Sequence, residues 1–212
     1  MAKIMTTREK ILNLCLNLFA KKGFDGVSLR DIASGVGIKE SSVYNHFKSK
    51  QDILDCLIKD NIQTCENSIS QIFEGINLVN NQDIYLSDKG FQMIGEKLFE
   101  KFFMDKNVTK LWSILSIEQF KNKNIAEMQS KLFFDDILGY IMNIFYEMTE
   151  KNILIKVSPA VLALEFYSPI YVVYQRYIAS GFENLTEIQP FAKSMISEHI
   201  SNFCKNYRAT NK

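Results

Sequence analysis

Apolar residues recur three and four positions apart along almost the whole chain, and little interrupts them. Ile11, Leu14, Cys15, Leu18 and Phe19 make one such face. Ile53, Leu54, Leu57, Ile58 and Ile62 make another, and Ile137, Leu138, Ile141, Met142, Ile144, Phe145 and Met148 give the clearest. That spacing puts each set on one side of a helix. Only three prolines and nine glycines stand among 212 residues, so long helices are permitted nearly everywhere. No convincing strand is visible, and the pattern predicts an all-α fold.

The stops and starts divide it. Gly23 ends the first helix. Ser28 can cap a short helix, LRDIASGV, with Arg30 and Asp31 pointing outward. Gly35, Gly37 and Ile38 then make a turn before ESSVYNHF, and short helix, glycine turn and second helix form a helix-turn-helix signature. Ser49 with Asp52 resembles a capping box and sets a new helix start at Lys50, reaching about Phe73. Residues 75–90 read as a polar loop, and helices are expected near 88–104, 107–120 and 124–151. Ser158-Pro159 opens a strongly apolar helix, which Pro169 should kink or split. The last helix, about 187–206, carries Ile188, Ala192, Met195, Ile196, Ile200, Phe203 and Tyr207 on one face. The expected division is a three-helix domain over 1–48 and a larger helical domain over 49–212.

Several function classes drop out. The four cysteines are scattered without a C-x-x-C pair, and two histidines offer few co-ligands, so neither a metal nor a disulfide is expected. No phosphate-cradling glycine loop and no nucleophile with a nearby base is found, so neither an enzyme nor a cofactor is expected. MAKIMTTREK lacks the apolar run of a signal peptide. The most apolar stretch is broken by Glu165 and Arg176, short of the ~18 uninterrupted apolar residues of a membrane span. A cytoplasmic protein is expected.

The net charge of +1 is unevenly spread. Residues 1–50 hold nine Lys/Arg against four Asp/Glu, and the remainder sixteen against twenty. A basic head suits a polyanion partner, or is simply a solvated surface. The stretch SSVYNHFKSK over 41–50 adds to this. It crowds hydroxyls, a tyrosine, an amide, a histidine and two lysines around Val43 and Phe47, as a helix does when its apolar side holds a core and its polar side meets a DNA groove.

Here the residues resemble a family. Thr6-Thr7-Arg8, Leu18-Phe19 with Gly23-Phe24, Arg30-Asp31-Ile32-Ala33, Val36-Gly37-Ile38, Tyr44, His46-Phe47 and Lys50 match, in register, the DNA-binding domain of the tetracycline-repressor (TetR) family. The resemblance covers roughly the first quarter of the chain. It implies that Ser28, Ser42, Tyr44, His46 and Lys50 grip phosphates, and that Arg30, Lys39, Glu40, Ser41 and Asn45 read bases, with Lys48 also near DNA. Lys39 stands where the family often has a serine cap. Glu40 stands where a basic residue is common; it either accepts from a cytosine amino group or pairs with a lysine.

The resemblance further implies a ligand-responsive regulator, most commonly a repressor, that binds a palindromic operator in double-stranded DNA as a homodimer. Its dimer contacts would come from the last two helices, one apolar over most of its circumference and one with a regular stripe, at Phe166, Tyr167, Ile170, Tyr174, Ile196, Ile200 and Phe203; the alternative for these residues is a purely intramolecular core. Its small-molecule effector would lie among the middle helices, near Phe103, Met104, Trp112, Phe120, Phe134, Tyr140, Met142 and Phe145. Such a lining suits an apolar or aromatic inducer, while any single one of these residues suits an ordinary core as well. Two alternatives stay open: a DNA-binding regulator controlled by a partner protein, and a helical adaptor that binds no DNA.

Overall fold

The computed structural model describes residues 5–74, 87–178 and 185–209. Ten α-helices appear among them. They are α1 (Thr7–Lys22), α2 (Leu29–Val36), α3 (Glu40–Val43), α4 (Lys50–Glu74), α5 (Asp88–Lys97), α6 (Lys106–Glu118), α7 (Lys123–Ser130), α8 (Asp136–Glu150), α9 (Pro159–Val173) and α10 (Leu185–Tyr207). Three of them run on into wider π-helical turns, Leu98–Phe103 after α5, Lys131–Asp135 between α7 and α8, and Tyr174–Ile178 after α9. The described residues contain no strand, only one antiparallel bridge between Leu154 and Arg208. The loop expected over 75–90 falls outside the described residues as far as residue 86, as does the end of the apolar helix beyond 178.

The chain forms two compact units, Met1–Cys65 with Lys106–Gln129, and Glu66–Asp105 with Ser130–Lys212. In the first, α1 packs against both α2 and α6. Ile11, Cys15, Phe19, Ile32, Val43 and Phe47 form its core with Ile53 and Leu57 of α4 and Leu111 and Leu115 of α6. Burial in this apolar core pushes the Cys15 thiol up to about 12.

The second unit is built on aromatic packing. Phe91, Phe145, Phe166 and Phe203 meet with ring centroids 5.2–6.2 Å apart, in tilted, edge-on and stacked pairs. Beside them Phe103 stacks on Tyr174 at 4.4 Å. Tyr167 donates its hydroxyl to the Phe133 carbonyl at 2.5 Å, inside the π turn. π turns misalign the ordinary helical bonds, and this carbonyl is satisfied from another helix.

Two expectations change. Phe166, Tyr167, Ile170, Tyr174, Ile196, Ile200 and Phe203, read above as dimer contacts, are each at most 3% exposed within the single chain. They are interior residues of the second unit, and the periodicity that singled them out marked a core. Pro169 does not split its helix: α9 continues to Val173. Just before the proline, the Ser168 hydroxyl donates to the Leu164 carbonyl at 2.7 Å.

Candidate nucleic-acid interface

The head is assembled from short elements held by side-chain caps. Thr6 and Glu9 form a reciprocal box at the start of α1. Ser28 and Asp31 do the same for α2: the Asp31 amide donates to Ser28 Oγ at 3.1 Å, and the carboxylate accepts the Ser28 amide at 2.9 Å and its hydroxyl at 2.6 Å. Those bonds from Ser28 hold the Asp31 carboxyl below its ordinary value. Gly37 closes α2 in the left-handed conformation, φ +78°, which favours glycine.

The second helix of the motif is shorter than ESSVYNHF. Regular α3 is a single turn, and Tyr44, Asn45 and His46 follow as turn residues, with the Phe47 amide still bonded to the Val43 carbonyl at 3.1 Å. Lys39, the position without a serine, makes no side-chain cap. Val43 and Phe47 are buried, and the Arg8 guanidinium lies over the Phe47 ring at 5.1 Å. Around those anchors Lys39, Glu40, Ser41, Tyr44, Asn45, His46 and Lys48 are exposed, as is Arg30 on α2. Tyr44 keeps 55% of its surface, unusual for an aromatic side chain with a core beside it.

Three of the sequence candidates have other contacts or less exposure than the rest. Ser28 is engaged in its cap, and Ser42 is half-buried. Lys50 turns inward. Its ammonium donates to the Phe24 and Val27 carbonyls, both at 2.8 Å, and lies 4.1 Å from the centre of the Phe24 ring. At the next residue pair the expected box is only half formed. The Asp52 amide donates to Ser49 Oγ at 3.1 Å, but the Asp52 carboxylate accepts from the Lys48 amide at 2.8 Å rather than from Ser49.

Sequence reading missed what holds the far side of the same loop. Glu118, at the end of α6 and 5% exposed, accepts the Phe24 amide at 3.1 Å. Lys121 reaches Asp25 at 2.7 Å and Glu118 at 3.7 Å. This pairing lowers the Asp25 carboxyl and raises the Lys121 ammonium. The partners lie more than ninety positions apart, so no local pattern announces them. The loop between α1 and α2 is thus gripped by α4 from one direction and α6 from another.

The residues proposed for an effector differ in burial. Phe103 and Phe145 are core, Met104, Trp112 and Phe134 are half-buried, and Phe120, Tyr140 and Met142 are exposed, Phe120 at 89%. A cleft of about 470 Å³ opens between α4 and the start of α8, and of the eight only Tyr140 borders it. Its walls are polar, unlike the apolar lining expected.

Residues 11–57 match the family model of bacterial regulatory proteins, tetR family. The biofilm operon icaADBC negative transcriptional regulator IcaR of Staphylococcus aureus (strain Newman) is 33% identical over 93 residues, 44% of this chain and 46% of that protein. Its Staphylococcus epidermidis counterpart is 31% identical over 109 residues, 51% of this chain and 53% of its own length. The chain thus matches about half the length of these curated relatives. A solved structure described as a TetR-family transcriptional regulator from Mesorhizobium loti superposes with a TM-score of 0.71, covering 95% of this chain and 96% of that one at 15% identity. At that identity the likeness speaks for the fold, and the head supplies the sequence relationship. Over residues 11–57 the chain is similar to the tetR family of bacterial regulatory proteins, and its fold is that of solved TetR-family regulators.

Proposed function

We propose that the protein is a transcriptional regulator that binds a palindromic duplex operator as a homodimer and represses. The observation that carries this is the stretch from Lys39 to Lys48, where exposed polar and cationic side chains surround two buried anchors behind a capped turn. Arg30, Lys39, Glu40, Ser41 and Asn45 read base edges, and Tyr44, His46 and Lys48 hold phosphates. Repression is taken from the negative regulation named for the staphylococcal relatives.

The dimer is formed through the apolar residues that α9 and α10 leave exposed, Val161, Leu164 and Val172 on one helix and Phe191 and Met195 on the other. Their i, i+3, i+11 and i, i+4 spacing lines each set up on one helical face. A patch of this kind is the ordinary mark of an interface. A small molecule that prefers one of two head spacings then shifts DNA affinity by that preference.

Selection from a random duplex library tests the reading, with the intact protein run beside Tyr44→Ala. An inverted repeat with half-sites about 34–36 Å apart, lost in the variant, is the expected result. Binding that depends on salt but not on sequence, equal in both proteins, would refute it.

A further inference from the structure

The polar cleft shares no lining residue with the candidate nucleic-acid interface, yet it has the size of a small-molecule site, about 470 Å³ against roughly 300–1,000 Å³ for such pockets. Glu66 of α4 forms one wall; Lys131 and Asp135 of the π turn and Asp136 of α8 form another. The Lys131 ammonium bridges the two walls, 2.8 Å from Glu66 and 2.8 Å from Asp136, and these carboxylates raise its pKa above the ordinary lysine value. The cleft therefore already holds one ammonium, tethered by a lysine side chain.

Three carboxylates line the cleft against one ammonium, an excess of two negative charges on its wall. Tyr140 adds an aromatic shelf. Its ring stacks on Phe73 at 4.8 Å with planes 5° apart, while 38% of the residue stays exposed. A cation placed against an exposed ring face is favoured by the ring's quadrupole. Asn67 and Asn143 supply side-chain acceptors for N–H groups. Gly139, also on the wall, leaves room: a Cβ built there meets nothing within 4 Å.

The geometry points to this cleft as the binding site for a small organic cation carrying two or more amino groups. An apolar ligand would strand the carboxylates and amides, and an anion would meet net negative charge. A flexible polyamine matches both the excess charge and the hydrogen-bond acceptors. One amine would take the place of, or sit beside, the Lys131 ammonium, and another would reach Asp135 beyond it. As an effector site, the cleft rests on the regulator reading above; as a binding site, it does not.

Calorimetric titration of the intact protein with spermidine at about 150 mM salt, where long-range charge attraction is screened, tests this without DNA. Saturable one-site binding is expected, weakened at least tenfold by Asp135→Asn with Asp136→Asn. A similar loss is expected in Gly139→Leu, which fills the cleft and keeps every charge. Circular dichroism and melting of both variants check that they fold. No saturable binding, equal displacement by magnesium, or affinity unchanged in both variants would overturn the proposal. Those outcomes leave the operator selection untouched, and a failed selection leaves the calorimetry untouched.

Discussion

Lys50 separates two accounts of the head, and replacing it with methionine decides between them. The family resemblance made it a phosphate ligand, whereas its ammonium lies between two main-chain carbonyls and an aromatic ring. Methionine keeps most of the stem and removes the donor. A hydrogen bond from a charged group contributes roughly 1.5–3 kcal/mol when fully withdrawn from water. A cation over a partly exposed ring adds roughly 0.5–1 kcal/mol. Lys50 is half-buried, so water recovers much of this.

About 2 kcal/mol remains, roughly a thirtyfold fall in the ratio of folded to unfolded protein. At roughly 2–4 °C per kcal/mol for a chain of this size, the melting point drops by about 4–8 °C. Urea denaturation gives the free energy, with Lys50→Arg as the charge-preserving control. A second reading comes from the salt dependence of operator binding, since each lost phosphate contact reduces the slope by about 0.9. The structural account requires lower stability and an unchanged slope. Stability within about 0.5 kcal/mol of the parent, with a slope shallower by about one, would refute it and restore Lys50 to the DNA.

Phe145→Ala, at the centre of the four-phenylalanine cluster, should cost about 3–5 kcal/mol in urea denaturation. Glu118→Ala should speed hydrogen exchange at the Phe24 amide, which loses its carboxylate acceptor, more than at helical amides of α1. Leu164→Glu with Val172→Glu should give monomers by sedimentation without loss of helix, since both residues are exposed in the single chain. Asp31 has a folded-state pKa below its unfolded value of about 3.8, so its cap stabilises the head above that pH and the contribution is lost as pH falls through the folded value. Melting followed between about pH 5 and 2 should show this acid limb, and Asp31→Asn should flatten it.

What was legible in the sequence was local. Ser28, Gly23 and Gly37 mark helix ends through bonds that span three or four residues, and Lys39 advertised its missing cap, whereas Asp31, read as pointing outward, turns back to close the box on Ser28. Val43 and Phe47 could be assigned as anchors because everything beside them is polar. Partners distant in the chain left no such trace. Glu118 finding the Phe24 amide, and Lys50 turning to the loop behind it, depend on helices meeting in space. The seven residues of α9, the following π turn and α10 assigned to a dimer show the same limit. Helical spacing reports that a face is covered, and for Phe166 or Ile200 the cover is the chain's own aromatic core. The polar cleft joins residues 66–70 to 131–143, a set no periodicity selects.

The single-turn length of α3 has a consequence for how such a head can change. Four residues are too few to form a helix alone, so this segment takes its shape from its two buried anchors, Val43 and Phe47, the latter lying beneath the Arg8 guanidinium. Its outward side chains at 39–41 and 44–46 are exposed and lie outside the core that holds that shape. Positions 39–41 and 44–46 can therefore be changed while the scaffold stays folded, and if the head reads an operator as proposed, point changes there would alter its target without passing through unstable intermediates.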